Sequence, residues 1–209
     1  SRASLDGFYY KPRVDRELLR AHAAGLICLS GCPSGELSRA LAQDDQPQAE
    51  AIARWHADVF GSENYYIELQ RPGLPEQEPL VHNLIGLAGS LGLPVVASND
   101  VHYLTPDDKD AHDILLCIQT GSRVEDTDRM RMEGNWHLKS PEEMAQAFGD
   151  HPEALANSMA IAQRCDIELP FGRIAMPEVD IPEGMTATEY LTQKATDGLS
   201  RRRPDAAPT

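Results

Sequence analysis

The sequence predicts an α/β fold: a parallel sheet or barrel with helices packed outside it. Three short apolar runs, residues 26–30, 65–69 and Val95–Ser98, are each followed by a stretch of helical periodicity. Strand–helix alternation of this kind is how parallel strands are joined, because a parallel pair needs a long crossover. Glycine and proline clusters, such as Gly31-Cys32-Pro33-Ser34-Gly35, punctuate the runs where turns are required.

Residues 26–30 are apolar on both faces, as a strand buried between layers is. Helical stretches follow at 36–43 and 48–60, the second with Ala51, Ile52, Trp55 and Val59 near helical spacing. Residues 65–69 are aromatic and β-branched, hence strand-forming. The next helix covers 76–91, with Leu80, Leu84, Leu87 and Leu91 on one stripe and Gly92 as its C-cap. Val95–Ser98 is the third strand, and Pro106 opens a helix over 107–120. Residues 123–135 are charged and aperiodic, a loop. Ser140-Pro141-Glu142-Glu143 combines a capping box with proline at the first helical position. Helices are expected over 141–148 and 152–165, a Pro- and Gly-rich connector over 167–183, and a last helix over 188–203. The basic end of that helix suits its dipole. The sequence contains no internal repeat.

The 209 residues allow one to two domains. A composition of 41% hydrophobic and 25% charged residues excludes disorder throughout. No apolar run approaches the roughly 18–20 residues of a membrane span. Nineteen Lys and Arg against 33 Asp and Glu leave a net charge of −14, which repels phosphate backbones over the average surface. Four cysteines, at 28, 32, 117 and 165, are too few for a disulfide scaffold and point to a reducing cytoplasm. Cys28, Cys117 and Cys165 fall within expected elements and read as core. The non-methionine start and the final Arg- and Pro-containing stretch read as those of a piece of a longer chain.

Chemistry in parallel α/β folds collects where the strands end. The residues there are Gly31-Cys32, Gln70-Arg71-Pro72-Gly73 and Asn99-Asp100-Val101-His102-Tyr103. In an extended segment Asp100 and His102 point to one side, where a carboxylate and an imidazole can grip one divalent ion. Cys32 could add a thiolate, and mixed sulfur, nitrogen and oxygen ligation suits zinc. The alternative is an Asp that caps the next turn beside a half-buried His bonded to backbone, with Cys32 a small residue in a turn. His22, His56, His82, His137 and His151 are scattered and carry no assigned chemistry. His112 lies on the helix just after the Asp100–His102 turn, where a structural role is the expectation. No nucleophile elbow, dinucleotide fingerprint or Walker motif is present.

Several blocks resemble the C-family of bacterial replicative DNA polymerases, in family order across nearly the whole chain. They include Gly7-Phe8-Tyr9-Tyr10-Lys11-Pro12-Arg13, the run from Gly25 to Cys32, Tyr66-Ile67-Glu68-Leu69-Gln70-Arg71, and Val95 to Tyr103. Leu138-Lys139-Ser140-Pro141-Glu142-Glu143-Met144, Glu153 to Asn157 and Ile161 to Cys165 complete the set. The resemblance implies that residues 1–172 form the C-terminal part of a PHP (polymerase and histidinol phosphatase) domain, with a helical end from about 140. That domain is a distorted parallel β/α barrel, here incomplete at its N-terminus. A linker over 173–185 and the truncated start of a polymerase palm over 186–209 would follow.

The resemblance also implies cleft ligand positions at Cys32, Asp100 and His102, for zinc or manganese, and residual 3′–5′ exonuclease or phosphoesterase activity in an intact domain. Pro72 stands where metal-binding members carry a His, and the family's opening His-x-His strand is missing. No polymerase catalytic residue is expected in this piece; the magnesium-holding palm aspartates belong downstream. Through the parent, the implied partners are the proofreading exonuclease, sliding clamp and clamp loader, with primed DNA and dNTPs as substrates and no membrane. The rival readings are a stand-alone PHP phosphoesterase and a metal-free interaction module.

Overall fold

Residues 65–70 read Tyr-Tyr-Ile-Glu-Leu-Gln, and five of the six are buried, which makes this strand the centre of the sheet. The structure, a computed structural model, describes residues 2–169, 171–172 and 179–205. It divides into two compact units, Ser1–Asp166 and Ile167–Thr209.

The first unit opens with a short helix, α1 (Arg2–Leu5), a hairpin of β1 (Phe8–Tyr9) and β2 (Lys11–Pro12), and helix α2 (Arg16–Ala21). Asp15 caps α2 by accepting from the Leu18 N–H at 2.8 Å. There follow β3 (Cys28–Leu29), α3 (Glu36–Ala42), α4 (Gln46–Phe60), β4 (Tyr65–Gln70), α5 (Glu78–Leu91), β5 (Val95–Ser98), α6 (Lys109–Thr120), α7 (Pro141–Ala147) and α8 (Pro152–Arg164). Single 3-10 turns, Pro75–Gln77 and Pro106–Asp108, lead into α5 and α6.

The sheet runs β3-β4-β5, all parallel, in the order of the sequence. Cys28 pairs with Tyr65, and Ile67 to Gln70 pair with Val95 to Ser98. This is the expected parallel α/β layer; the described residues form an open three-stranded sheet. β3 is shorter than the expected 26–30. Leu26 turns back to the Ala23 carbonyl and lies exposed, and the positive φ of Gly31, 86°, ends the run. The α1–α2 segment with its hairpin was not anticipated, because two-residue strands carry too little alternation to register as a pattern.

Alternation along β4 places Tyr65, Ile67 and Leu69 on one face, and all three enter the apolar cluster with Leu37 and Leu41 of α3, Ile52 of α4, Leu84 and Leu87 of α5 and Phe148. The buried positions of α4 are Ala49, Ile52, Ala53 and Phe60; Ala51 is exposed, so the stripe is rotated from the expected one. Gly92 caps α5 in the left-handed region at φ 64°, and Ser140 forms the expected capping box with Glu143. Helix α8 lies along β5, where the Asn157 side-chain amide donates to the Val95 carbonyl at 2.7 Å. The 123–135 stretch holds no helix or strand, as expected.

In the second unit, Thr186 and Glu189 form a reciprocal capping box that starts α9 (Ala187–Arg202), and Arg201 and Arg202 occupy its last turn. Of the linker expected at 173–185, residues 173–178 lie outside the described residues.

Ile67 is fully buried on the central strand, so Ile67→Ala removes packing that no neighbour can replace. We expect it to destabilise the first unit by about 2–5 kcal/mol, read as a lower denaturant midpoint in urea unfolding.

Candidate functional site at the strand ends

Glu68 lies on the opposite face of β4 from Ile67, between the last residue of β3, which pairs with Tyr66, and the last residue of β5, which pairs with Gln70. Its Oε2 accepts from the Gly31 N–H at 3.1 Å, and its Oε1 accepts from Gln70 Nε2 at 3.0 Å and from the Ser98 hydroxyl. The Glu68 N–H in turn donates to Ser30 Oγ at 2.9 Å. One carboxylate therefore bonds to the turn after β3, to β4 and to β5. Hydrogen bonds to a charged acceptor are the stronger kind, about 1.5–3 kcal/mol each. The sequence held the signal: two polar residues, Glu68 and Gln70, spaced by two in an otherwise buried strand.

Past Ser98 the chain leaves the extended conformation. Asp100 adopts φ 44°, in the left-handed region, which Asp tolerates better than most residues. This turn, rather than strand alternation, brings Asp100 Oδ1 to 3.6 Å from His102 Nε2. The turn is laced to residues 135–139. The His102 N–H donates to the Trp136 carbonyl at 2.9 Å, Tyr103 bridges His137, and Asn99 Nδ2 donates to the His137 carbonyl at 2.6 Å. Lys139 Nζ donates to Asn99 Oδ1 at 2.8 Å and to the Asn135 carbonyl at 2.7 Å, and burial pushes its ammonium pKa down. The His102 ring lies between Trp136 and His112, with centroids 5.5 and 5.8 Å away. Trp136 had no sequence signal, since its neighbours are far along the chain. His112, on α6, stands beside both His102 and Tyr103, with ring centroids 5.8 and 5.4 Å away.

Cys32 does not join Asp100 and His102. Its carbonyl accepts from the Gly35 N–H at 2.8 Å, closing a turn that feeds α3. Among the described residues, no three His, Cys, Asp or Glu side chains gather closely enough to hold a metal ion. Pro72 is buried and contributes only a backbone carbonyl, which accepts from the Asn135 N–H at 2.7 Å. Catalytic zinc is held by three protein ligands and structural zinc by four, so the two-donor pair does not fit such a centre. The other cysteines also separate. Cys117 is buried as expected, whereas Cys165 is exposed where α8 ends, a correction to its core assignment. Burial, with Glu68 nearby, pushes the Cys28 thiol up to about 11.

The third strand-end segment is anchored by Arg71. Its guanidinium donates to both carboxylate oxygens of Asp150, at 2.6 and 3.0 Å, and to the Ala147 carbonyl at 2.7 Å, and lies over the Phe148 ring. A matching bidentate pair joins Arg129, 1% exposed, to Asp113 of α6 at 2.6 Å. It orders the otherwise irregular 123–135 stretch.

The fold is a parallel α/β one, and residues 1–72 match the PHP domain family. Over nearly its whole length the chain is similar to DNA polymerase III subunit alpha. It is 44% identical to that of Treponema pallidum over 204 residues, 97% of this chain. It is 42% identical to that of Thermus aquaticus over 98% of the chain, and 36% to that of Mycobacterium tuberculosis over 100%. The chain spans 17–18% of the length of these relatives.

Asp150 and Asp113 are held below the usual carboxylate range by hydrogen bonds from Arg71 and Arg129, and Glu143 by the Ser140 N–H and then His137. A carboxylate whose pKa falls on folding stabilises the native state above its unfolded value of about 4, and that stability is lost as pH falls through the folded value. Thermal unfolding midpoints are therefore expected to drop on acidification below about pH 4, less steeply in Asp150→Asn than in wild type. Alkylation followed by mass spectrometry is expected to modify exposed Cys165 first and Cys28 and Cys117 last; rapid labelling of Cys28 would contradict its high thiol pKa.

Proposed function

We propose that the chain is the PHP-domain segment of the alpha subunit of a bacterial replicative DNA polymerase, and that the segment acts as a scaffold within it. The observation that carries this reading is collinear similarity to DNA polymerase III subunits alpha across nearly the whole chain. The parent would extend a primer by DNA-templated deoxynucleotidyl transfer, with magnesium held by palm carboxylates outside this segment. It would work in the cytoplasm alongside a proofreading exonuclease, a sliding clamp and a clamp loader.

A bracing role is supported by how the strand ends are used. Glu68, Arg71 and Arg129 are each occupied by internal partners. A net charge of −14 suits a part held off the duplex. The described donors do not support a metal-dependent exonuclease or phosphoesterase centre, and no hydrolytic step is assigned to them.

The full-length gene product is expected to incorporate dNTPs on a primed template; a folded product with no incorporation would overturn the polymerase reading. Because Asp100 and His102 stand as a pair, the 209-residue chain is expected to retain zinc and manganese at well below one equivalent in elemental analysis. One equivalent that disappears in His102→Ala would instead restore the metal-dependent reading.

A further inference from the structure

Beside the Glu68 network lies a small cavity of about 10 Å³, bounded by Ser38 of α3, Glu68 and Gln70 of β4 and Gln77 in the turn ahead of α5, with Val81 and Leu84 closing its apolar side. Three buried polar atoms on its lining, Ser38 Oγ, Gln70 Oε1 and Gln77 Oε1, have no hydrogen-bond partner among the described residues. Ser38 is 1% exposed and Gln70 9%. A buried polar atom left unpaired costs about 1–3 kcal/mol, and three converging on one hole call for a shared partner.

We propose that this cavity binds one ordered water molecule, as an integral part of the fold. Size allows it: a water needs about 10–15 Å³ of such space and two to four polar partners. The hydrogen count then separates water from a cation. Glu68 can only accept, so the Gln70 amide must turn its NH2 towards that carboxylate and its Oε1 towards the cavity. Oε1 requires a donor, and the Ser38 hydroxyl carries a proton that requires an acceptor. Water supplies both, and it satisfies Gln77 with either end of its amide facing inward. A sodium or potassium ion would meet the three oxygens as acceptors only and would itself offer the Ser38 proton no acceptor. The water joins α3 and the start of α5 to the end of β4, on the residue that also binds Glu68. The inference rests on this hydrogen bonding alone and is independent of the polymerase reading.

An atomic-resolution crystal structure of the chain, with a second crystal soaked in thallium(I), tests it. The expected result is one peak within about 2.7–3.2 Å of Ser38, Gln70 and Gln77, with no anomalous signal from thallium. An empty cavity overturns the proposal, and so does a thallium peak there, which would make it a monovalent-cation site. In solution, water-to-protein NOEs to the Gln70 side-chain amide are expected in wild type and lost in Ser38→Ala. Persistence of those NOEs in a folded Ser38→Ala would overturn the assigned ligand set. Gln77→Leu makes the same test from the helix-turn side if Ser38→Ala fails to fold.

Discussion

The Glu68 carboxylate is the constraint on which the strand-end geometry depends. Parallel strands joined by helical crossovers have no short hairpin to fix their relative height, and here β3 contributes only two paired residues. A charged acceptor that takes a backbone N–H from the turn after β3, an amide from β4 and a hydroxyl from β5 sets all three strands to one level. Every segment that carries polar side chains in this region departs from that level: Gly31-Cys32 into α3, Arg71-Pro72 towards α5, and Asn99 to Tyr103 into the turn bearing Asp100 and His102. The ordering precedes any chemistry and accounts for why so few of these groups face open space.

Two bidentate arginine pairs extend the same logic outward. Arg71 draws the loop between α7 and α8 onto the end of β4, and Arg129 folds an aperiodic stretch back onto α6. Guanidinium–carboxylate pairs fix orientation as well as distance, because two parallel bonds leave little rotational freedom. Segments without apolar periodicity are held here by geometry of this kind rather than by burial. This is the economy expected of an acidic α/β domain whose long loops must keep a shape.

Much of the fold was legible in the sequence. Alternating apolar runs and helical stripes located β3, β4, β5 and the helices from α3 to α8, and the Ser140 and Gly92 signals marked true helix ends. The N-terminal hairpin was not legible, since strands of two residues have no period to detect. The site was read in part. Asp100 and His102 do meet, though through a left-handed turn that spacing alone does not specify. Cys32 does not complete a three-donor group with them among the described residues, and its backbone closes the turn that feeds α3. Glu68 was not legible as a hub, because its partners Gly31 and Ser98 lie 37 and 30 residues away along the chain and its spacing with Gln70 does not specify them.

The Arg71 anchor has a consequence for where this domain can be divided. Its guanidinium reaches forward 79 residues to Asp150, past α5, β5, α6 and α7, and rests on Phe148. A chain cut ahead of Phe148 would leave the Arg71 guanidinium without the Asp150 carboxylate and the Phe148 ring, and one cut ahead of α8 would take away the Asn157 bond to β5. The end of β4 and the segment between α7 and α8 thus form one mechanical piece, joined by a cation that neither could satisfy alone.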